Sequence, residues 1–177
     1  FELFGKTFGV VGTGAIGARV AKIAAAFGCR VLAYSRTEKQ KLVDAGVQYV
    51  SLDELLEQSD FVSLHVPLTD ATRGLINAEA IAKMKQGAVL LNTARGPVVD
   101  SAALAAALNA GKLAGAGIDV FEGEPPIGKD HPLCSAKNTV LTPHVAFASR
   151  EALETRADIV FTNIEKWLAG APQNIVK

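Results

Sequence analysis

The chain has 177 residues, 49% apolar and 20% charged, and its 18 basic and 18 acidic side chains cancel. That length gives one domain with room for a sizeable core. Without a basic block there is no footprint for nucleic acid, and no apolar run approaches the roughly 18–20 residues of a membrane span.

In chain order, short β-branched runs alternate with Ala-rich helical stretches. The opening residues FELF run towards a strand, and TFGVVG (7–12) reads as one, followed by a helix from Ile16 to Phe27. CRVLAYS (29–35) is a second strand, EKQKLVDAG a helical piece and VQYV a short strand. Ser51 can cap a brief helix over Leu52–Gln58, and DFVSLHVP (60–67) is a buried strand stopped by Pro67. Asn77 can cap the helix AEAIAKMKQG, with Gly87 closing it. AVLLNTA, AGAGIDV and NTVLTPHVA read as further strands, DSAALAAALNAG as a helix, and a long helix runs from Ser149 to Ala169. Continuous apolar strands alternating with helices predict an α/β fold, a Rossmann-type doubly wound parallel sheet in a single domain over 1–177. The long loop EGEPPIGKDHPLCSAKN (122–138) is of the kind that is functional or mobile.

VVGTGAIG places Gly12, Gly14 and Gly17 in the spacing G-x-G-x-x-G after a strand and at the start of a helix. The first glycine allows the tight turn, the second admits a pyrophosphate to the backbone, and the third lets helix and strand pack closely. Ala15 and Ile16 belong to the same turn, whose helix N-terminus faces the phosphates. A dinucleotide is the expected ligand.

Three polar sites stand out in an otherwise apolar chain: Arg95 just after a strand in LLNTARGPVVD, Asp119 and Glu124 in GIDVFEGEPP, and His144 in VLTPHVAFAS. Singly, each reads as structural: a surface arginine, a solvated acidic loop, a satisfied histidine. Together they put one group each at three strand ends on the cofactor side. A histidine oriented by a carboxylate is the usual general acid/base, and an arginine fork matches a carboxylate. With a nicotinamide as hydride carrier, that set suits interconversion of 2-keto and 2-hydroxy acids. No metal is expected.

The end of the second strand, YSRT, lacks the acid that binds the ribose hydroxyls in NAD-selective sites. Ser35, Arg36 and Thr37 can engage a 2′-phosphate instead, so NADP is the expected preference, with NAD possible.

The motifs ELFGKTFGVVGTGAIG, LHVPLTDATRGLI, MKQGAVLLNTARGPVVD, AGAGIDVFEGEP and TPHVAFAS cover nearly the whole chain. In that order they resemble the nucleotide-binding domain of the D-isomer-specific 2-hydroxyacid dehydrogenases. The resemblance implies that Arg95 binds the substrate carboxylate, that His144 exchanges a proton with the substrate oxygen, and that Glu124 holds the imidazole. It places Asp119 near the nicotinamide carboxamide. His65, Val66, Pro67, Thr72 and the NTA segment with Thr93 and Ala94 would lie along the cofactor. It further implies a substrate domain built from residues before and after this segment, so the chain is expected to be half of an enzyme and inactive alone. Its opening on Phe1 fits an excised piece. Relatives pair through this domain, which implies a homodimer.

Within the family, the tail ASREAL…NIEKWLAGAPQNIV is most similar to glycerate dehydrogenase or hydroxypyruvate reductase members, with glyoxylate as a further substrate. Phe147 in HVAF also resembles D-lactate-type enzymes. A reading of another class is a nucleotide-sensing corepressor, which the family also contains. This segment has no interaction motif or charged tail to support it. Cys29 and Cys134 show neither metal-ligand spacing nor a disulfide framework, and there is no secretion signal, so a reducing cytoplasm is expected.

Overall fold

Thr7–Val11 (β1) is a β-branched, apolar run whose last four residues are buried. Successive side chains of a strand point to opposite faces. Val10 and Val11, both fully buried, accordingly enter two different cores. Such a strand needs a partner along each edge, and β1 has them: Arg30–Tyr34 (β2) on one side and Phe61–Leu64 (β4) on the other, both parallel. The structure, a computed structural model, describes residues 2–123 and 126–176.

Gln48–Tyr49 (β3), Ala88–Asn92 (β5), Leu113–Ile118 (β6) and Thr139–Leu141 (β7) complete a seven-stranded sheet in the order β3-β2-β1-β4-β5-β6-β7. Every pairing is parallel. Ala15–Ala26 (α1), Gln40–Val43 (α2), Leu52–Gln58 (α3), Ala78–Lys83 (α4) and Ser101–Asn109 (α5) connect the strands. The sheet is built outward from β1 in both directions. Its strand order therefore reverses between β1 and β4, which opens a crevice at their carboxyl ends. The Rossmann-type expectation is met. One face packs Leu55, Leu64, Leu90, Leu104 and Ile118, and the other Phe8, Ala21, Val31, Leu42 and Phe61. Each fully buried leucine contributes roughly 1.5–3 kcal/mol.

Ser51 and Asn77 cap as their sequence signals predict, and Asp100, read above as the first residue of its helix, is a third cap. Ser51 Oγ accepts the Glu54 N–H at 3.2 Å, Asn77 Oδ1 the Ala80 N–H at 3.0 Å, and Asp100 Oδ1 the Ala103 N–H at 2.9 Å. Two details differ. Of the opening FELF, the described residues 2–4 do not lead into β1 as a strand: the Lys6 N–H closes a turn onto the Leu3 carbonyl at 3.0 Å, and Gly5 adopts φ 75. Gly87 does not close α4 either. The helix stops at Lys83 because Met84, 1% exposed, turns into the core in extended conformation, and Gly87 bends the chain towards β5. The long loop contains a 3-10 turn, Pro132–Ser135, anchored by buried Leu133.

The residues up to His144 form one compact unit, and those from Val145 onward a second. In the latter, Arg150–Leu168 (α6) is capped by Ser149, whose Oγ accepts the Ala152 N–H at 3.1 Å. Its Ile159, Phe161, Ile164 and Trp167 are exposed, and the Arg156 guanidinium lies 5.7 Å from the Phe147 ring centroid. Among the described residues no helix is long and apolar enough to cross a membrane.

Candidate functional site

The crevice is shaped by backbone. β1 ends at Val11 and the chain turns at Gly12, with φ 93, a conformation that side-chain-bearing residues rarely adopt. A Cβ on Gly17 would collide with the Gly12 carbonyl, so helix and turn approach as closely as backbone allows. A Cβ on Gly14 would meet nothing within 4 Å. Gly14 begins α1 without a side-chain cap, unlike Ser51, Asn77 and Asp100 on α3, α4 and α5. Among the described residues the N–H groups around Ala15, Ile16 and Gly17 therefore have no side-chain acceptor, and the positive end of the helix dipole faces the cleft. A backbone cradle with uncapped donors fits the pyrophosphate of a dinucleotide.

The cleft in front of that turn encloses about 330 Å³. Ser35, Arg36, Thr37 and Lys39 line it beyond β2, and His65, Val66, Pro67 and Thr72 line it beyond β4. Thr72 Oγ1 donates to the Pro67 carbonyl at 2.6 Å and accepts the Thr69 N–H at 2.8 Å, fixing the shape of that wall. His65 Nε2 lies 2.9 Å from Ser63 Oγ, and burial pushes its pKa from 6.5 to about 4, which keeps it neutral.

His65 makes folding pH-sensitive. The unfolded chain takes up the proton first on acidification, so the stabilisation is complete above about pH 6.5 and is lost as pH falls towards 4. The slope is at most about 1.4 kcal/mol per pH unit. Denaturant unfolding at pH 7 and pH 5 should show wild type losing more stability than His65→Gln. Equal losses would contradict a half-buried His65 held neutral by the fold.

A second group sits at the ends of β5, β6 and β7, where hydrogen bonds join the strand ends. Asn92, buried at the last position of β5, accepts the Ala94 N–H at 3.0 Å with Oδ1 and donates from Nδ2 to the Arg95 carbonyl at 3.1 Å. Its own carbonyl accepts the Asp119 N–H at 3.0 Å, and the Asp119 carbonyl accepts the His144 N–H at 2.8 Å. The Asp119 carboxylate, 3% exposed, accepts the Thr142 hydroxyl at 2.6 Å. Arg95, Asp119 and His144 thus hang on one hydrogen-bonded chain that runs through Asn92. The Arg95 guanidinium rests on the Ala94 carbonyl at 2.6 Å. His144 adopts φ 57, and a non-glycine residue held in the left-handed region stores strain of the kind that collects at functional positions. Thr93, Ala94 and Asp119 belong to this group rather than to the cleft walls. Glu124 lies outside the described residues.

Gly96 interlocks two of these loops, because a Cβ there would collide with the Phe121 carbonyl and lie 2.5 Å from the Glu122 nitrogen. Both obstacles are backbone and cannot rotate away. Gly96→Ala should cost about 3 kcal/mol, at the upper end of overpacking effects, and lower Tm by roughly 6–12 °C. Calorimetry checks this, and an unchanged Tm would show that the loops part freely.

Several supports escape a one-dimensional reading. Asn92 and Thr142 look like ordinary strand residues. Glu122 lies 3.0 Å from His131 Nε2, and His131 stands edge-on to Phe121. Burial opposes ionisation of Glu122, but hydrogen bonds from Ser101 and His131 outweigh it and hold the carboxyl below its ordinary range. Among the described residues no three His, Cys, Asp or Glu side chains gather as a metal site requires.

Comparison with known proteins agrees with the fold. The family described as D-isomer specific 2-hydroxyacid dehydrogenase, NAD binding domain, matches residues 1–146. The chain belongs to that family. It is 47% identical to the hydroxypyruvate reductase of Blautia hydrogenotrophica over 99% of this chain and 54% of that protein. It is also 47% identical to the glycerate dehydrogenase of Methylorubrum extorquens, over 100% of this chain and 54% of that protein. Among solved structures, D-lactate dehydrogenase from Aquifex aeolicus, complexed with NAD and lactic acid, superposes with a TM-score of 0.90 at 40% identity, covering 97% of this chain and 56% of the other. An acyclic imino acid reductase in complex with NADPH and D-Arg gives 0.88 at 36% identity over 100% and 55%. The chain spans about half the length of the curated relatives it matches.

Proposed function

We propose that the protein to which this chain belongs interconverts a small 2-keto acid and the corresponding D-2-hydroxy acid, with hydroxypyruvate and glycerate, or glyoxylate, as the substrate class. Residues 1–177 act as its dinucleotide-binding domain. The observation that carries the reading is the linked set of strand ends: Arg95 through Asn92, Asp119 through the Asn92 carbonyl, and His144 through the Asp119 carbonyl. A bound nicotinamide dinucleotide supplies or accepts the hydride. Arg95 presents a fork to the substrate carboxylate. His144 gives its proton to the ketone oxygen during reduction and takes it back during oxidation. Glu124 orients the imidazole, and Asp119 lies beside the carboxamide end of the cofactor.

The preferred cofactor is NADP(H). Ser35 and Arg36 line the cleft where an acid would otherwise repel a 2′-phosphate, and their hydroxyl and guanidinium suit its oxygens. NAD is the alternative. The exposed apolar side chains of α6 support pairing into a homodimer, and the free thiols Cys29 and Cys134 suit a reducing compartment, the cytoplasm. D-lactate-type specificity is the second substrate reading, favoured by the Aquifex aeolicus neighbour solved with lactic acid. Turnover of hydroxypyruvate, glyoxylate and pyruvate by the full-length protein decides between them. Hydroxypyruvate or glyoxylate should give the highest kcat/KM, pyruvate in first place would favour the lactate reading, and no turnover of any keto acid would overturn the assignment.

A further inference from the structure

The mouth of the cleft holds a cation that neither the glycine turn nor Ser35–Thr37 accounts for. Lys39 reaches across it, and its Nζ donates to the Gly14 carbonyl at 3.3 Å. That carbonyl already accepts the Ala18 N–H at 3.1 Å. Among the described residues Lys39 has no carboxylate at ion-pair distance. An ammonium resting on a neutral, already occupied carbonyl exchanges it readily for an anion, because an anionic acceptor adds a Coulomb attraction that the carbonyl lacks.

The segment that carries Lys39 is fastened. Its backbone N–H donates to Tyr49 Oη at 3.1 Å, and the Tyr49 hydroxyl donates to Thr13 Oγ1 at 3.1 Å. Thr13 is 2% exposed and belongs to the glycine-rich turn, while Tyr49 stands on β3 beside Ala33 of β2. One phenol therefore ties the segment after β2 to the turn that faces the phosphates.

Resting on the NADP(H) reading above, we infer that Lys39 is a specificity-determining residue that takes the cofactor's 2′-phosphate, and that Tyr49 is the positioning residue that holds it there. Charge decides for this phosphate over the pyrophosphate. The pyrophosphate already has the uncapped donors of α1. A 2′-phosphate carries about −1.5 to −2 charges at neutral pH, which Arg36 alone does not neutralise. Lys39 follows Arg36 by three residues, and both line the cleft.

The test is direct titration of NADPH and NADH onto the full-length protein. Lys39→Ala should weaken NADPH by about tenfold while NADH stays within about twofold, and Lys39→Arg should retain most NADPH affinity. Tyr49→Phe keeps the ring but removes the hydroxyl, and should weaken NADPH alone by about fivefold. Because Tyr49 acts through Lys39, the double variant Lys39→Ala/Tyr49→Phe should bind NADPH no more weakly than Lys39→Ala. Unchanged NADPH affinity in Lys39→Ala, or equal weakening of both nucleotides, overturns the inference and leaves the cofactor reading standing. Additive losses overturn the role of Tyr49. A wild-type protein that binds NADH as tightly as NADPH removes the cofactor reading itself.

Discussion

On the proposed function, replacing His144 by asparagine should lower kcat for keto-acid reduction in the full-length protein by about 10²–10⁴-fold, the range that general acid–base groups contribute. Asparagine is the sharper choice than alanine because His144 sits at φ 57, and asparagine tolerates the left-handed region. The backbone N–H that bonds the Asp119 carbonyl survives either substitution, so the strand ends stay joined. Nucleotide affinity should therefore persist while turnover collapses. His144→Ala should show the same loss in kcat. If His144→Asn turns over at near wild-type rate, the proton passes through another group and the assignment of His144 fails.

The other large effect concerns the cofactor. Ser35→Asp combined with Arg36→Ile should move the ratio of kcat/KM for NADPH over NADH by about a hundredfold or more towards NADH, since like charges placed together cost several kcal/mol. Two terms act in the same direction. On the NADP(H) reading, the new carboxylate would repel a 2′-phosphate and accept hydrogen bonds from the unmodified ribose, and the phosphate would lose the Arg36 fork. Both positions line the cleft and neither belongs to a regular element, so the sheet should be undisturbed. Purified variants assayed with each nucleotide give the ratio directly, and a ratio that stays put would mean that Ser35 and Arg36 do not read the 2′ position.

What the sequence made legible was whatever short-range chemistry decides. Gly12 must turn, Gly17 must pack, Ser51 and Asn77 must cap, and the apolar runs around Val10 and Leu90 must be buried on both faces. Each depends on neighbours within a few residues or on a simple period. Arg95 and His144 were visible for a related reason, as conspicuous polar residues where apolar strands end. The supports between them were not visible. Asn92 finds Asp119 only once β5 and β6 lie side by side, and Tyr49 reaches Thr13 across 36 positions. Partner choice of that kind belongs to the folded sheet. Local pattern also misled at FELF, where alternating apolar residues suit a strand but Gly5 turns the chain instead. In the same way the helical pattern carried α4 past Met84, which the core claims.

The contact of Gly96 with Phe121 bears on how a substrate is met. Loops at the ends of a sheet are ordinarily its loosest parts, and binding must then order them at an entropic cost. Here neither loop can slide without the other, Asn92 holds both, and the Asp119 carbonyl holds the His144 N–H. The edge behaves as a template whose spacings were set when the strands paired. On the function proposed above, a keto acid arriving there would lose only its own freedom of orientation, because the protein's share was lost on folding.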